Sequence, residues 1–138
     1  MSNHEQIGNV GHVFLSPVVY GRAGDADVIV QSCDGVQFHL HRKYLHFNSE
    51  GFPPAEIDTY GEVVVLSENA STLELLFQYI YPQHHPELRN ISFEDLASLA
   101  EAAEKYGIYS AMIVSKIRMR YLTTFPVIFF SMLTSLMV

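Results

Sequence analysis

The feature that most constrains the fold is a change in hydrophobic spacing between residues 27 and 48. Residues 27–30 (Asp-Val-Ile-Val) are strand-like, and Asp34-Gly35 is a strong turn signal before a second stretch, 36–40, in which apolar and polar residues alternate. From His41 to Asn48 the spacing becomes helical. The order of strand, tight turn, strand and helix therefore predicts a β-hairpin that leads directly into a helix.

The segment after the hairpin predicts a short helix and a third strand. In the helix, residues 41–48, we expect Tyr44, Leu45 and Phe47 to face inward. A glycine and two prolines end this helix soon afterwards. Residues 63–66 (Val-Val-Val-Leu) form a short apolar run that is rich in β-branched side chains, which is typical of a largely buried strand.

The C-terminal half of the chain is predicted to be helical. Ser71 and Glu74 have the spacing of a capping box at the start of one helix, which we expect to continue to Pro82. Ser92 is a suitable first cap of a second helix, and Gly107 is well placed as the left-handed residue that ends it.

A third helix is predicted from about Tyr109, with Ile113, Ile117 and Tyr121 aligned on one side. It leads into residues 121–138, which carry no charge. Eighteen helical residues span about 27 Å, at the lower limit for crossing a bilayer. Three interpretations remain for this segment: a membrane anchor, a helix that packs on the domain or on a second copy, and a truncated or alternative ending.

Together these elements predict an α+β fold with a small three-stranded sheet, interleaved helices and a helical C-terminal half. A doubly wound sheet requires strict alternation of strands and helices, which this order lacks. A chain of 138 residues has room for one domain. We expect a flexible N-terminal arm over residues 1–24, the folded domain over 25–120 and an uncharged apolar tail over 121–138.

The formal charge of -7 is unevenly distributed along the chain. Residues 1–115 hold all fifteen acidic side chains and five basic ones, whereas Lys116, Arg118 and Arg120 add three positive charges within five residues. An acidic body repels phosphate backbones, so we expect no direct nucleic-acid binding. The single cysteine, Cys33, cannot form an internal disulfide, which fits a reducing compartment, either cytoplasmic or nuclear.

Residues that could carry catalysis or bind a metal are scattered in the sequence. His39, His41 and His46 are close in sequence, but zinc sites need three or four ligands at fixed spacing, usually with thiolates or carboxylates. Cys33 has no adjacent base to activate it. We therefore expect no catalytic residues, no metal site and no cofactor, and we do not expect an enzyme.

Four motifs occur in a fixed order along the chain. The first is the hairpin over residues 27–40, and the second is Phe-x-x-His-x-x-x-Leu-x-x-x-Ser-x-x-Phe, formed by Phe38, His41, Leu45, Ser49 and Phe52. The third and fourth are Leu-Leu-Phe-Gln-Tyr-Ile-Tyr at 75–81 and Leu-Ala-Glu-Ala-Ala-Glu-Lys-Tyr-Gly-Ile at 99–108. In this order they resemble the BTB/POZ domain, a protein–protein interaction module. Residues 49–56 are similar to the stand-alone BTB proteins of fungi.

The resemblance implies roles for a few charged residues. In the family, an acid at the start of the first strand and a base directly after the histidine form a charged pocket that influences partner recruitment. The corresponding positions here are Asp27 and Arg42. The alternative interpretation of this pair is an ion pair that only stabilises the fold. Members that recruit cullin-3 often carry an apolar-x-Glu element, which Tyr60 and Glu62 match weakly.

The function that the resemblance implies is that of a BTB adaptor, which mediates self-association or recruits a protein partner as a homodimer or hetero-oligomer. One alternative is a substrate adaptor of a cullin-3 ubiquitin ligase, although such adaptors usually need a second, substrate-binding domain for which we expect no room here. Another alternative, a membrane-tethered scaffold, depends entirely on residues 121–138.

Overall fold

In the computed structural model the described residues are 14–15, 25–50, 52 and 61–137. Four strands and four helices lie in these ranges. In chain order they are β1 (Phe14–Leu15), β2 (Val28–Gln31), β3 (Val36–Leu40), α1 (Arg42–Asn48), β4 (Val63–Val65), α2 (Ala70–Phe77), α3 (Phe93–Tyr106) and α4 (Tyr109–Met137). The predicted α+β class, with its helical C-terminal half, is confirmed.

The sheet has the strand order β1-β3-β2-β4. Strands β2 and β3 form the predicted antiparallel hairpin, in which Val28 lies opposite Leu40. Strand β4 is parallel to β2, and β1 is parallel to β3. The two residues of β1 add a fourth strand within the segment that we expected to be a flexible arm. The remainder of that arm lies outside the described residues.

Strand β4 is less buried than its composition predicts. Val63 and Val65 are 39% and 65% exposed, whereas Val64 is half-buried and the following Leu66 is only 7% exposed. The prediction of a largely buried strand was wrong because β4 lies at the edge of the sheet, where only one face contacts the core.

Two aspartates at the ends of β2 bind the N-termini of two helices. Asp27 Oδ1 accepts a hydrogen bond of 2.6 Å from the Arg42 backbone N–H, at the first residue of α1. Asp34 Oδ1 accepts one of 2.9 Å from the Ala70 N–H, at the first residue of α2. Ser32 and Ala70 both lower the pKa of the Asp34 carboxyl by hydrogen bonding. A carboxylate at these positions satisfies an otherwise unpaired N–H and complements the helix dipole.

Helix α2 begins and ends differently from the prediction. Its N-terminal cap is Asn69, whose side chain accepts from the Thr72 N–H at 2.9 Å, so the capping box assigned to Ser71 and Glu74 was wrong. Because the Asn69 side chain accepts from the Thr72 N–H, the helix begins at Ala70 and Ser71 lies inside its first turn. The helix ends at Phe77 rather than near Pro82, because the N–H groups of Tyr79 and Ile80 bond three residues back, in tighter turns.

Helix α1 turns Leu45 into the core and Phe47 outward. Leu45 is 1% exposed, Tyr44 is half-buried and Phe47 is 82% exposed, so the inward placement of Phe47 was wrong. Helical residues that are two positions apart in the sequence lie about 200° apart around the axis. A helix that buries Leu45 must therefore direct Phe47 away from the core.

The core lies between the hairpin and helices α1, α2 and α3. Its aromatic centre joins three elements, since the ring of Phe77 lies 5.3 Å from that of Phe38 and 6.1 Å from that of Phe52. The Phe52 ring also lies 4.8 Å from that of Tyr106 in α3. Each large apolar side chain buried in this way contributes about 1.5–3 kcal/mol to the free energy of unfolding.

The ends of α3 match the sequence-based expectation. The Ser92 side chain accepts from the Asp95 N–H at 3.1 Å, and Gly107 adopts a left-handed conformation with φ of +64°. A Cβ atom on Gly107 would lie 2.5 Å from the carbonyl oxygen of Glu50. In turn, the Glu50 N–H donates to the carbonyls of Tyr106 and Gly107, each at 3.1 Å. Gly107 therefore permits both the turn and the close approach of the chain after α1.

Glu68 connects the β4–α2 junction to α3. Its carboxylate accepts hydrogen bonds from the ammonium of Lys105 at 2.8 Å and from the hydroxyl of Tyr106 at 2.7 Å. Burial acts to raise the pKa of Glu68, but these two donors outweigh it and the pKa is lowered. The same contact and, above all, burial raise the pKa of Tyr106 to about 12.

Helix α4 runs without interruption from Tyr109 to Met137, past the boundary that we expected at residue 120. It continues through Pro126, which has no N–H to donate to the carbonyl of Leu122. Among the described residues, no helix is both long enough and apolar enough to cross a bilayer.

We predict that Gly107→Ala lowers the free energy of unfolding by about 2 kcal/mol or more, because the left-handed backbone and the contact with Glu50 both oppose a Cβ. The matched control is Gly35→Ala, where φ is +87° and nothing lies within 4 Å of the added Cβ. That variant should lose only about 1 kcal/mol. Urea unfolding of both variants measures the difference, and equal losses would contradict the role of the Glu50 contact.

We predict that Glu68→Gln lowers the free energy of unfolding by about 1 kcal/mol at neutral pH. The lowered pKa means that the ionised carboxylate stabilises the fold above the ordinary pKa of Glu, and that this stabilisation disappears as the pH falls through the folded-state value. The gap between the parent and Glu68→Gln should therefore close in acid. Thermal unfolding from pH 7 to pH 3 checks this, and a gap that is independent of pH would be the contrary result.

Candidate functional site

The structure brings Asp27 and Arg42 together at an exposed corner of the domain. Asp27 is exposed and Arg42 is half-buried. The contact between them is the hydrogen bond from the Arg42 backbone N–H to the Asp27 carboxylate. The His41 side chain makes no capping bond to α1, so Asp27 takes the place of a local N-terminal cap. The carboxylate thus has a structural contact as well as an exposed charge.

A buried histidine–tyrosine contact lies beneath this corner. The Tyr81 oxygen is 3.0 Å from the His41 backbone nitrogen, which donates to it, and 2.9 Å from His41 Nδ1. The Tyr44 ring packs 4.8 Å from that of Tyr81. Burial first, and then the neighbouring Tyr44 and Asp27, raise the pKa of Tyr81 to about 12, despite the opposing hydrogen bond from His41. The neutral hydroxyl fixes His41 at the start of α1.

The signature residues form the interior rather than the surface. Phe38, His41, Leu45 and Phe52 are each between 1% and 4% exposed, and Ser49 is half-buried with its hydroxyl donating to the Leu45 carbonyl. They position the hairpin against α1. The four buried side chains therefore contribute packing inside the domain.

The histidines that are close in sequence are separated by burial. His39 and His46 are exposed, whereas His41 lies in the interior. Within the described part of the chain, no three His, Cys, Asp or Glu side chains are grouped as metal ligands would be.

The element that resembles a cullin contact is only partly placed. Tyr60 lies outside the described residues, and Glu62 is exposed.

A polar groove of about 300 Å³ lies between the β4–α2 junction and α3. Exposed Cys33 lies at this groove, as do Glu68 and Lys105, which pair with each other at 2.8 Å. The pairing of Glu68 with Lys105 ties these two charges to each other, and the carboxylate of Glu101 also lines the groove.

The outer face of α4 is apolar and exposed, which the sequence did not predict. Ile113, Ile117 and Tyr121 are aligned as expected, but they are 59%, 62% and 49% exposed. Arg118 lies beside them, and its Nε is buried without a hydrogen-bond partner. The spacing of the apolar residues was visible in the sequence, together with the adjoining cations. Their exposure follows only from the packing of the opposite side of α4 on the core.

The fold agrees with the comparison to protein families. The BTB/POZ domain family model matches residues 22–120, which include the hairpin, the signature residues and α1 to α3. No curated protein matches the chain significantly. Because the family match covers well over half of the chain, in the segment that holds Asp27 and Arg42, this protein belongs to the BTB/POZ domain family of protein–protein interaction modules.

Proposed function

We propose that this chain is a BTB adaptor that self-associates or recruits a protein partner, and that the corner formed by Asp27 and Arg42 takes part in that contact. The single observation that carries the proposal is the family match over the segment in which Asp27 presents an exposed carboxylate.

The geometry of the corner supports this proposal. The Asp27 carboxylate accepts one hydrogen bond from the Arg42 N–H and, being exposed, has further lone pairs directed at solvent. A partner N–H or cation can therefore bind it without breaking the contact with α1.

Apolar surface close to this corner also supports docking. Phe47 is 82% exposed and lies about 8 Å along the α1 axis from Arg42. Interfaces commonly combine a buried aromatic anchor with charged groups at the rim, and Phe47 offers an exposed aromatic side chain on the helix whose first N–H binds Asp27.

Two narrower assignments belong to the same proposal. The exposed Glu62 supports a role as a substrate adaptor of a cullin-3 ligase, for which a pull-down with purified cullin-3 is the direct test. Residues 49–56 support placement among the stand-alone fungal BTB proteins, and a single exposed cysteine supports a cytoplasmic or nuclear location.

We predict that Asp27→Asn weakens partner capture while leaving the melting temperature nearly unchanged. The amide keeps an oxygen that can accept from the Arg42 N–H, so this change removes mainly the charge. Asp27→Ala is the matched variant that also removes the cap, and it should cost about 1 kcal/mol of unfolding free energy. Thermal unfolding and pull-downs with the tagged chain from its native cells separate the two effects. Equal capture by Asp27→Asn and the parent would refute the functional role of the charge.

We predict that the purified chain self-associates. Size-exclusion chromatography with light scattering should then give at least twice the monomer mass of 15.6 kDa. Phe47→Ser removes exposed apolar surface without affecting the core, and it should shift the equilibrium towards monomer if α1 contributes to the contact. A monomer mass at all concentrations would contradict self-association and leave the recruitment of a different protein.

A further inference from the structure

We propose that a second surface binds a protein segment that presents a carboxylate beside bulky apolar side chains. This surface, the α4 groove, is lined by Leu88, Arg89, Val114, Ile117, Arg118 and Tyr121. The inference rests on the proposed function as an interaction module, and it names a site and a partner chemistry that the Asp27 corner does not provide.

The α4 groove has the shape and the lining of a docking surface. It measures about 250 Å³, and its floor is Leu88, which is 5% exposed and belongs to the loop before α3. One wall consists of Ile117 and Tyr121, which remain 62% and 49% exposed. Ile113, one turn earlier, extends the apolar surface along the helix. A continuous exposed apolar surface of this kind marks an interaction site more often than isolated exposed residues do.

Arg118 gives the α4 groove its chemical preference. One guanidinium nitrogen, Nη2, donates to the Arg89 carbonyl at 2.5 Å, and the guanidinium carbon lies 4.9 Å from the centre of the Tyr121 ring. The neighbouring Nε is buried and has no acceptor. Buried donors on a cation are nearly always paired. The Nε and Nη2 groups form the planar fork that binds a carboxylate through two parallel hydrogen bonds.

Among the described residues, no carboxylate accepts a hydrogen bond from the Nε of Arg118. The acid next to Leu88 in the sequence, Glu87, pairs with Arg89 at 2.9 Å on the exposed rim of the groove. Arg118 itself is half-buried, so its guanidinium has to turn outward, away from the Arg89 carbonyl, before an incoming carboxylate can pair with Nε. A ligand with both an acidic and an apolar group would therefore satisfy Arg118 and cover Ile117 in one step.

Two further cations flank the apolar stripe on its other side. At about 100° per residue, Arg120 lies next to Ile113 and Ile117 on the side away from Arg118, and Lys116 lies slightly further round. Both are exposed. An apolar stripe with positive charges on both sides is complementary to a segment whose apolar face has acidic residues on its flanks.

The same charges decide between possible occupants. A second copy that paired α4 with α4 would place Lys116, Arg118 and Arg120 against three identical cations, which is unfavourable. An anionic membrane would attract these cations, but the remainder of the chain carries all fifteen acidic side chains and would be repelled. The concave shape, with Leu88 as its floor, also fits a narrow protein segment better than a flat surface. An acidic, apolar protein segment is therefore the occupant that we propose.

The test uses the full chain as bait for a phage-displayed library of random peptides, followed by affinity measurements on the selected peptides. We expect the selected peptides to carry Asp or Glu close to Leu, Ile or Phe. Arg118→Gln should weaken their binding about ten-fold, and Ile117→Ser about five-fold. The matched controls, Lys43→Gln and Val65→Ser, remove an exposed cation and an exposed apolar side chain elsewhere, and they should change affinity less than about two-fold.

Three results would overturn the inference. They are a failure to select any peptide, selected peptides that lack acidic residues, and equal binding of the selected peptides by Arg118→Gln and the parent. Binding to phosphatidylserine vesicles that is lost in Arg118→Gln would assign the surface to a membrane, and conversion of a dimer to a monomer by Ile117→Ser would assign it to self-association. If self-association or Asp27-dependent capture persists while these measurements fail, the α4 inference fails and the proposed function stands.

Discussion

The arrangement of this domain depends on one β-hairpin whose two aspartates hold two helices. Asp27 and Asp34 lie just outside the two ends of β2, and each accepts a hydrogen bond from the first N–H of a helix, α1 or α2. The hairpin is therefore bonded to the first residue of both helices, together with the Asn69 cap of α2, and the core lies between them. Under the proposed function, the residue that attracts a partner would also be the one that stabilises α1. A change of charge and a loss of the cap are different perturbations at this position.

The C-terminal helices are attached to this frame by two close contacts. Gly107 lets the chain after α1 approach the end of α3, and Glu68 joins the β4–α2 junction to Lys105 and Tyr106. Helix α4 then packs one side on the core and leaves Ile113 and Ile117 in solvent. The domain thus presents two surfaces of different character, a corner of mixed charge beside α1 and a basic, apolar face on α4. An adaptor that joins two proteins needs two such separable surfaces.

Local signals in the sequence were reliable where a single residue determines backbone geometry. The Asp34-Gly35 turn and the left-handed Gly107 are found as predicted, and so is the cap at Ser92. The errors arose where a pattern allowed more than one solution. Ser71 has the spacing of a capping residue, but the side chain that caps the helix, by accepting from the Thr72 N–H, is that of Asn69. Phe47 fits an inward position only if the helix is rotated away from Leu45. The Val-Val-Val run of β4 is apolar enough for a central strand. Among the described strands, however, β4 pairs only with β2 and therefore lies at the edge.

The sequence by itself determined the family, the hairpin and the order of the elements from β2 onward, because these depend on local conformational preferences and on motifs of fixed spacing, and the family resemblance then implied a charged pair at Asp27 and Arg42. Only the tertiary structure decided that Asp27 contacts the backbone of Arg42, that the signature side chains are buried, and that α4 exposes an apolar face beside an unpaired Arg118 nitrogen. The physical reason is that exposure and hydrogen-bond partnership are properties of surfaces brought together by long-range packing. A periodic pattern states which side chains share a face, but not what covers that face.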